Sequence, residues 1–266
     1  MHFAGKSIQG RRDYQQDRIL FRSENDCFIA AVADGMGGYS GGELASQIVV
    51  DVCARRFEIF SSAPDPEGIE RMILDIVGES REQIRKKSEE KEELKSMGTT
   101  LTVAAGCGGE YVVGNIGDSR TYLVTGSRIE QLTKDNSFVQ EYREKYSGEE
   151  MDEAVLRNVS NALTRSLSGT DYEADVYPGG NRRFTIGEGD VLLLCSDGLI
   201  VDKIGDVGPR LLKLTRESGS PSKAANALID WAYVNGSTDN ISVILAYPGE
   251  WVTSGRWDFL NPFRRP

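Results

Sequence analysis

Four aspartates of this 266-residue chain stand beside apolar runs, and their placement favours chemistry at a bound cation. Asp34 and Asp197 follow runs that are typical of buried strands, whereas Asp239 precedes such a run. An antiparallel arrangement of these strands would bring the three carboxylates to one edge of a sheet. Clustered carboxylates repel each other and burial raises their pKa, so they need a compensating charge. Because hard divalent cations prefer oxygen ligands, the sequence predicts a site for Mg²⁺ or Mn²⁺.

Glycines and turn-forming residues flank these aspartates. Asp34 opens a stretch with five glycines at 34–42, which permits positive φ and a close approach of the backbone to a ligand. The fourth aspartate, Asp118, lies in a turn signal at 117–120 between two strand-like runs. Asp-Gly and Asp-Asn pairs also form ordinary turns, so one such motif alone would indicate only turn chemistry. The other two pairs are Asp197-Gly198 and Asp239-Asn240.

The charge and the single histidine exclude several classes of function. The net charge of −10 argues against nucleic acid or an anionic membrane as the main partner. The only histidine, His2, lies at a terminus that we expect to be frayed and solvated. A Ser-His-Asp arrangement, a Cys-His arrangement and a His-rich zinc site are therefore excluded from the rest of the chain.

The cysteines favour a structural interpretation. Their spacing matches no metal site, and each lies in an apolar context, so we expect four small core hydrophobes in a reducing cytoplasm. No signal-peptide pattern and no long apolar span is evident, which again favours a cytoplasmic protein. The length and the 39% apolar content suit one large domain, which we expect to be a monomer. The cysteines are Cys27, Cys53, Cys107 and Cys195.

The order of apolar patterns predicts an α+β fold with two mostly antiparallel β-sheets covered by helix pairs. A polar excursion at 137–160 interrupts this order. The predicted elements are two strands within 17–35 with a turn at 23–26, helices at about 43–60 and 66–95, four strands within 99–132, strands near Phe184 and Val191, a helix near 222–234 and a last strand at 241–247.

Residues 249–266 form an aromatic-rich tail that is too apolar for a simple disordered terminus. We expect Trp251, Trp257 and Phe259 to pack back onto the domain. The alternative is a docking segment for a partner protein, since Trp and Arg are frequent anchors at interfaces. The remaining aromatic and basic residues of the tail are Arg256, Phe263, Arg264 and Arg265.

Seven motifs, in order and spread over about 5–247, resemble those of the type 2C protein serine/threonine phosphatases, the metal-dependent PPM family. Met36 and the compact length resemble the bacterial branch of that family. The motifs are Arg12-Asp13-Tyr14-Gln15-Gln16-Asp17, Asp34-Gly35-Met36-Gly37-Gly38, Gly98-Thr99-Thr100, Gly117-Asp118-Ser119-Arg120, Leu132-Thr133-Lys134-Asp135-Asn136-Ser137, Ser196-Asp197-Gly198-Leu199 and Asp239-Asn240.

The resemblance implies a central β-sandwich flanked by pairs of α-helices, with a binuclear Mn²⁺/Mg²⁺ centre at one end. It implies a phosphatase domain at 1–248, in which residues 137–160 form a flap beside the active site. Its matching motifs imply that Asp34 bridges both metals and that Asp197 and Asp239 complete the first metal site. The carbonyl of Gly35 would bind the second metal.

The same motifs imply the remaining roles. Asp118 would hold a third, weaker metal alongside Asp197, as in bacterial relatives. Arg12 would bind the substrate phosphate, for which a guanidinium is suited. Asp17 would orient a metal-bound water. The residues that support this set from behind would be Gln16, Asp17 and Asn240.

The implied activity is hydrolysis of phosphoserine and phosphothreonine in proteins by a metal-activated water, in opposition to a protein kinase. Two metals about 3.5–4 Å apart lower the pKa of a bridging water and need no protein nucleophile. Three positions depart from the family pattern: Gln16 replaces a frequent Glu, Asn136 a frequent His, and Met36 a candidate general acid of eukaryotic members. A catalytically weak module that binds phosphoproteins and a small-molecule phosphatase therefore stay open as alternatives.

Overall fold

The computed structural model describes residues 1–38, 40–146, 152–180, 182–201 and 206–253, which form four layers. Two β-sheets pack face to face, and a helix pair covers the outer face of each sheet. The strands are β1 (His2–Ile8), β2 (Asp17–Glu24), β3 (Cys27–Met36), β4 (Gly98–Thr99), β5 (Leu101–Cys107), β6 (Glu110–Ile116), β7 (Arg120–Thr125), β8 (Arg128–Gln131), β9 (Asp175–Tyr177), β10 (Phe184–Thr185), β11 (Val191–Cys195) and β12 (Ile241–Tyr247). The α-helices are α1 (Gly41–Ser62), α2 (Ile69–Ser88), α3 (Phe138–Lys145), α4 (Glu153–Val159), α5 (Gly208–Glu217) and α6 (Pro221–Val234).

All strand pairings in the two sheets are antiparallel within the described residues. The first sheet has the order β1-β12-β11-β7-β8. The second has the order β10-β6-β5-β3-β2, with β9 paired to β6 and β4 paired to β3. The predicted α+β fold class and the predicted sandwich are therefore confirmed.

The continuous apolar sequence of β3 follows from burial on both of its faces. Ile29 and Ala31 pack in the core that the second sheet shares with α1 and α2. Ala30 and Val32 point the other way and pack in the core between the two sheets. A strand with two buried faces needs apolar residues at every position rather than at alternate ones, so the run of 28–33 is unbroken.

The prediction of four reduced core cysteines is wrong for one pair. Cys27 and Cys107 lie opposite each other on β3 and β5 and form a disulfide. Their separation of 80 residues leaves no local spacing signal in the sequence, and only the strand register brings them together. Cys53 and Cys195 are free and buried, as predicted. A disulfide is uncommon in a reducing compartment, so the cysteines no longer support a cytoplasmic location.

The second predicted helix is shorter than expected. It begins with a 3-10 turn at Pro66–Gly68, and α2 ends at Ser88 rather than near Lys95. The last buried residue of α2 is Ile84, and the following charged residues offer no apolar face that would stabilise further helical turns. Leu94 instead enters the core from a separate 3-10 turn at Glu92–Leu94.

The sequence prediction missed β1, β9 and α5. His2 is exposed, but it is not frayed: it pairs with Tyr247 in the register of β1 and β12, and the two rings lie 5.7 Å apart. The polar sequence of β1 acquires its strand conformation from pairing with the apolar β12. Among the described helices, none combines the length and the apolar character that crossing a membrane requires.

Candidate metal and phosphate site

A cavity of about 400 Å³ lies at one end of the sandwich, and the four predicted aspartates line it. The sequence placed three of them on one edge of a single sheet, which is wrong in one respect. Asp197 and Asp239 lie at the ends of β11 and β12 in the first sheet, whereas Asp34 belongs to β3 in the second sheet. The site therefore forms where the two sheets meet. The predicted site residues that line the cavity are Arg12, Gln16, Asp34, Gly35, Asp118, Asp197 and Asp239.

The pairing of β11 with β12 brings Asp197 and Asp239 together. Cys195, the last residue of β11, lies opposite Val243 near the start of β12. The loop that follows β11 therefore lies beside the loop that precedes β12. A side chain at Gly198 would collide with the carbonyl of Asn240, so only glycine permits this approach. The hydroxyl of Ser237 donates to the Gly198 carbonyl at 2.7 Å and ties the two loops together.

Asp34 is fixed through its backbone by the neighbouring strand. Its amide donates to Thr100 Oγ1 at 3.1 Å, and its carbonyl accepts from the amide of Thr100 at 2.8 Å. Thr99 Oγ1 donates to the same carbonyl at 2.8 Å. These threonines belong to the predicted Gly98-Thr99-Thr100 motif, to which the sequence assigned no role. They hold the strand so that the Asp34 carboxyl group faces the cavity.

The carboxyl groups raise one another's pKa. Burial is the main cause of the strongly raised pKa of Asp34, and the charges of Asp17, Asp197, Asp239 and Asp118 add to it. The pKa of Asp239 is also raised, first by burial and then by Asp197, against the opposing charge of Arg12. Negative charge from several carboxyl groups is therefore concentrated in this one cavity.

Asp17 lies behind the cavity, opposite Asp34 in the register of β2 and β3. It is 2% exposed, and its Oδ2 accepts hydrogen bonds from Ser196 Oγ at 2.8 Å and Ser242 Oγ at 2.7 Å. Burial raises the pKa of Asp17 to about 7 despite these bonds, with a further contribution from Asp197. No donor of the described residues reaches its buried Oδ1. Sequence reasoning predicted Asp17 but gave no role to Ser196, which lies in a predicted motif, and missed Ser242.

The chemistry of this set fits a hard divalent cation. Carboxylate oxygens and the Gly35 carbonyl are oxygen donors, and a cation would offset the charge that raises the carboxyl pKa values. Within the described part of the chain, no three or more carboxyl, imidazole or thiol groups lie close enough together to hold a metal ion as placed. The fit therefore rests on donor type and charge, and the individual ligand assignments stay predictions.

The Arg12 guanidinium lies at the mouth of the cavity and is paired with a carboxylate. Its Nη2 lies 2.5 Å from Asp239 Oδ2, and the Arg12 side chain is 50% exposed. A phosphate oxygen could replace this carboxylate oxygen, since a guanidinium binds both in the same geometry. Arg12, the residue predicted to bind the substrate phosphate, thus lines the cavity and is open to solvent.

Asn240 clamps the loop that carries Arg12. Its Nδ2 donates to the carbonyls of Gln9 and Tyr14, both at 2.7 Å, and its Oδ1 accepts from the amide of Gln16 at 2.8 Å. The supporting role that the sequence motifs imply for Asn240 stays a prediction. The Gln16 side chain contacts the glycine-rich loop, since its Nε2 donates to the Gly38 carbonyl at 2.7 Å.

The predicted flap and the predicted tail are described in part. Within 137–160 the chain forms α3 and α4, and Asn161 and Leu163 just beyond it line the cavity. In the tail, Trp251 packs on Tyr247 with ring centroids 5.1 Å apart, and its Nε1 donates to the Ser218 carbonyl at 3.0 Å. That part of the packing prediction is confirmed. Residues 147–151 of the flap and 254–266 of the tail, with Trp257, Phe259 and the arginines, lie outside the described residues.

The sequence matches the protein phosphatase 2C family over residues 4–231. It is 31% identical over 250 residues to the serine/threonine phosphatase stp of Listeria welshimeri, with 92% of this chain and 95% of that protein covered. It is 32% identical over 241 residues to the serine/threonine protein phosphatase PstP of Mycobacterium tuberculosis. That alignment covers 87% of this chain but only 44% of PstP.

Solved structures of similar proteins share the fold. The serine/threonine phosphatase Stp1 from Staphylococcus aureus has a TM-score of 0.80 and 27% identity, and the match covers 93% of this chain and 95% of Stp1. The catalytic domain of PstP, solved in complex with 2 manganese ions, has a TM-score of 0.76 and 28% identity. That match covers 92% of this chain and 96% of the PstP chain.

Proposed function

Because this chain belongs to the protein phosphatase 2C family and is a metal-dependent protein serine/threonine phosphatase, we propose that it hydrolyses phosphoserine and phosphothreonine with water activated by two Mn²⁺ or Mg²⁺ ions. The observation that carries this proposal is the meeting of Asp34, Asp118, Asp197 and Asp239 in one cavity, where burial and neighbouring carboxylates raise the pKa values of Asp34 and Asp239. A manganese-bound relative with the same fold supports the choice of metal.

In this proposal the cavity's own oxygen atoms hold the cations. Asp34 would contact both, Asp197 and Asp239 would complete one site, and the Gly35 carbonyl would contribute to the other. Asp118, with Asp197, would serve a third and weaker site. When bound, such cations lower the pKa of a water molecule and offset negative charge on the phosphoryl oxygens.

The remaining steps fall to other residues of the chain. Arg12 would exchange its contact with Asp239 for the substrate phosphate and orient the phosphorus towards the cavity. The unpartnered Oδ1 of Asp17 would accept a hydrogen bond from water and orient it. Met36 lines the cavity but has no proton to donate, so the leaving alkoxide would take its proton from solvent.

The biological setting of the proposal is the removal of phosphate groups that a protein kinase has added. Its substrates are phosphorylated proteins, and the enzyme would act on them as a monomer. The tail at 254–266 would dock a partner protein, a role compatible with the packing of Trp251 at its start. Deleting 254–266 should then abolish partner binding and leave hydrolysis of a small phosphate ester unchanged. Partner binding that survives the deletion would remove the docking role.

A catalytically weak phosphoprotein-binding module is the second candidate, and two contacts favour it. The side-chain amide of Gln16 donates to the Gly38 carbonyl, and Arg12 is paired with Asp239. A module of this kind would bind phosphopeptides without turning them over. The four aspartates favour the enzyme, since binding alone does not need them.

A phosphopeptide panel with Mn²⁺, with Mg²⁺ and with chelator separates the candidates. The phosphatase releases inorganic phosphate from phosphoserine and phosphothreonine peptides, loses this activity in chelator and regains it with Mn²⁺. Turnover that persists after exhaustive chelation would contradict the two-cation mechanism. Binding without release of phosphate would establish the module, and release from small esters but not from any peptide would establish a small-molecule phosphatase.

A further inference from the structure

The turn that carries Asp118 is clasped on both sides by two consecutive residues. On one side, the Arg120 guanidinium donates to both carboxylate oxygens of Asp135, at 2.9 Å from Nε and 2.7 Å from Nη2. On the other side, the side-chain Oδ1 of Asn136 accepts from the backbone amide of Gly117 at 3.0 Å. The backbone amide of Asn136 donates to the Gly117 carbonyl at 2.8 Å. The backbone before and after Asp118 is therefore held by one short segment.

The clasped turn has little freedom of its own. Gly117 has φ +105°, and a Cβ there would lie 2.6 Å from Thr100 Cγ2. Ser119 Oγ lies 2.7 Å from Thr100 Oγ1, which also accepts a hydrogen bond from the backbone amide of Asp34. A shift of the turn would therefore disturb the same threonine that positions Asp34. The contacts of Gly117 and Ser119 therefore hold the backbone that carries the Asp118 carboxyl group.

Asn136 also ties the turn to the wall of the cavity. Its Nδ2 donates to Asp175 Oδ2 at 3.0 Å, and Arg165 donates to both oxygens of that carboxylate. The Asn136 carbonyl accepts from the amide of Thr164 at 2.9 Å, next to Leu163 in the cavity wall. Asn136 is 3% exposed. Losing its side-chain carboxamide would therefore leave the buried backbone amide of Gly117 without its hydrogen-bond acceptor.

We propose that Asn136 is a positioning residue for Asp118 and sets the affinity of the cation site to which Asp118 contributes. This inference rests on the proposed function. Asn136 makes no direct contribution to that site, and its amide group instead fixes the backbone on which the Asp118 carboxylate is mounted. Partners that orient a metal ligand from behind typically contribute about 10–100-fold to metal affinity.

A double-mutant cycle between Asn136 and Asp118 tests the inference. Mn²⁺ binding to the wild type, N136A, D118N and N136A/D118N is measured by electron paramagnetic resonance of the free ion, and phosphopeptide turnover is measured in parallel. N136A should weaken the weakest Mn²⁺ site about tenfold. In the D118N background the same change should have less than about a twofold effect, because its target is gone. N226A, which removes an exposed asparagine on α6, is the matched control and should bind Mn²⁺ like the wild type.

Each other result overturns the inference. Equal weakening by N136A in both backgrounds would mean that Asn136 acts independently of Asp118. An unchanged Mn²⁺ affinity in N136A would remove its positioning role. If D118N itself leaves Mn²⁺ binding intact, Asp118 is not a cation ligand and the inference fails with it, whereas Mn²⁺-dependent turnover by the wild type would leave the proposed phosphatase standing. Should N136A not fold, N136S removes the same amide group and takes its place in the cycle.

Discussion

The two ends of strand β3 carry different chemical groups. At the first end, Cys27 lies opposite Cys107 on β5, and a disulfide joins them. At the second end, Asp34 lies opposite Asp17 on β2, and the charge of Asp17 adds to the burial that raises the pKa of Asp34. The first end is therefore linked covalently to the neighbouring strand β5. The second gathers like charges from both sheets into one cavity.

The difference shows where this fold tolerates unfavourable interactions. The three apolar cores and the Cys27 end stabilise the sandwich without any ligand. The Asp34 end gathers like charges, and the pairing of Arg12 with Asp239 offsets part of them. Proteins break the rules of local consistency mainly at functional sites, and they compensate for it elsewhere in the structure. Changes at the two ends of β3 should therefore have opposite effects on stability and activity.

The largest expected effect is that of Asp34→Asn on turnover. Removing this charge weakens the hold on the cations that activate water, so kcat at saturating Mn²⁺ should fall at least about a thousandfold, or about 4 kcal/mol. The stability of the metal-free protein should not fall, since a repelling charge is lost. Phosphopeptide kinetics and thermal melting in chelator measure the two effects. Near-normal turnover would show that Asp34 is not a metal ligand.

The double variant Cys27→Ala/Cys107→Ala should have the opposite pattern. The disulfide closes a loop of 80 residues, so its loss should reduce the free energy of unfolding by about 2–4 kcal/mol. Turnover below the melting temperature should stay within about twofold, because the disulfide lies at the other end of the strand from Asp34. Denaturant titration measures stability, and Cys53→Ala, which removes a buried free thiol, is the control. A large loss of kcat in the folded double variant would couple the two ends.

Arg12→Ala should act on substrate binding more than on chemistry. A charged hydrogen bond to phosphate contributes about 1.5–3 kcal/mol, so KM for a phosphopeptide should rise about tenfold or more. The fall in kcat should be smaller, since the guanidinium holds the phosphate alike in the ground state and in the transition state. Steady-state kinetics separate the two parameters. An unchanged KM would mean that the contact with Asp239 is the whole role of Arg12.

Much of the Asp34 end could be predicted from the sequence. Apolar runs mark β3, β11 and β12 because these strands are buried, and an aspartate beside such a run is conspicuous. The carboxylates were therefore found, although their division between two sheets was not. That division depends on which strands pair, and strand pairing is a long-range property that local patterns do not encode.

The Cys27 end and the supporting contacts could not be predicted for the same reason. The disulfide joins residues whose local contexts look like those of the free cysteines. The role of Asn136 depends on a turn 19 residues earlier and on Asp175 in β9, a strand that the sequence prediction missed. Polar groups satisfied across the fold leave no periodic signal, whereas apolar faces do.

The last prediction concerns the pH dependence of stability in the metal-free protein. The pKa of Asp17 rises from 3.8 to about 7 on folding, chiefly through burial, so the folded state holds a proton that the unfolded state releases. This contribution to stability is fully present below pH 4 and is lost as the pH rises towards 7, by up to about 1.4 kcal/mol per pH unit. In chelator, the wild type should therefore lose melting temperature from pH 5 to pH 7 relative to Asp17→Asn, which cannot ionise. Bound Mn²⁺ should reduce this difference, because a cation stabilises the ionised carboxylates. Parallel pH profiles for the two proteins in chelator would show that Asp17 is already ionised in the folded state, and that the Asp34 end is less strained by charge than its raised pKa values imply.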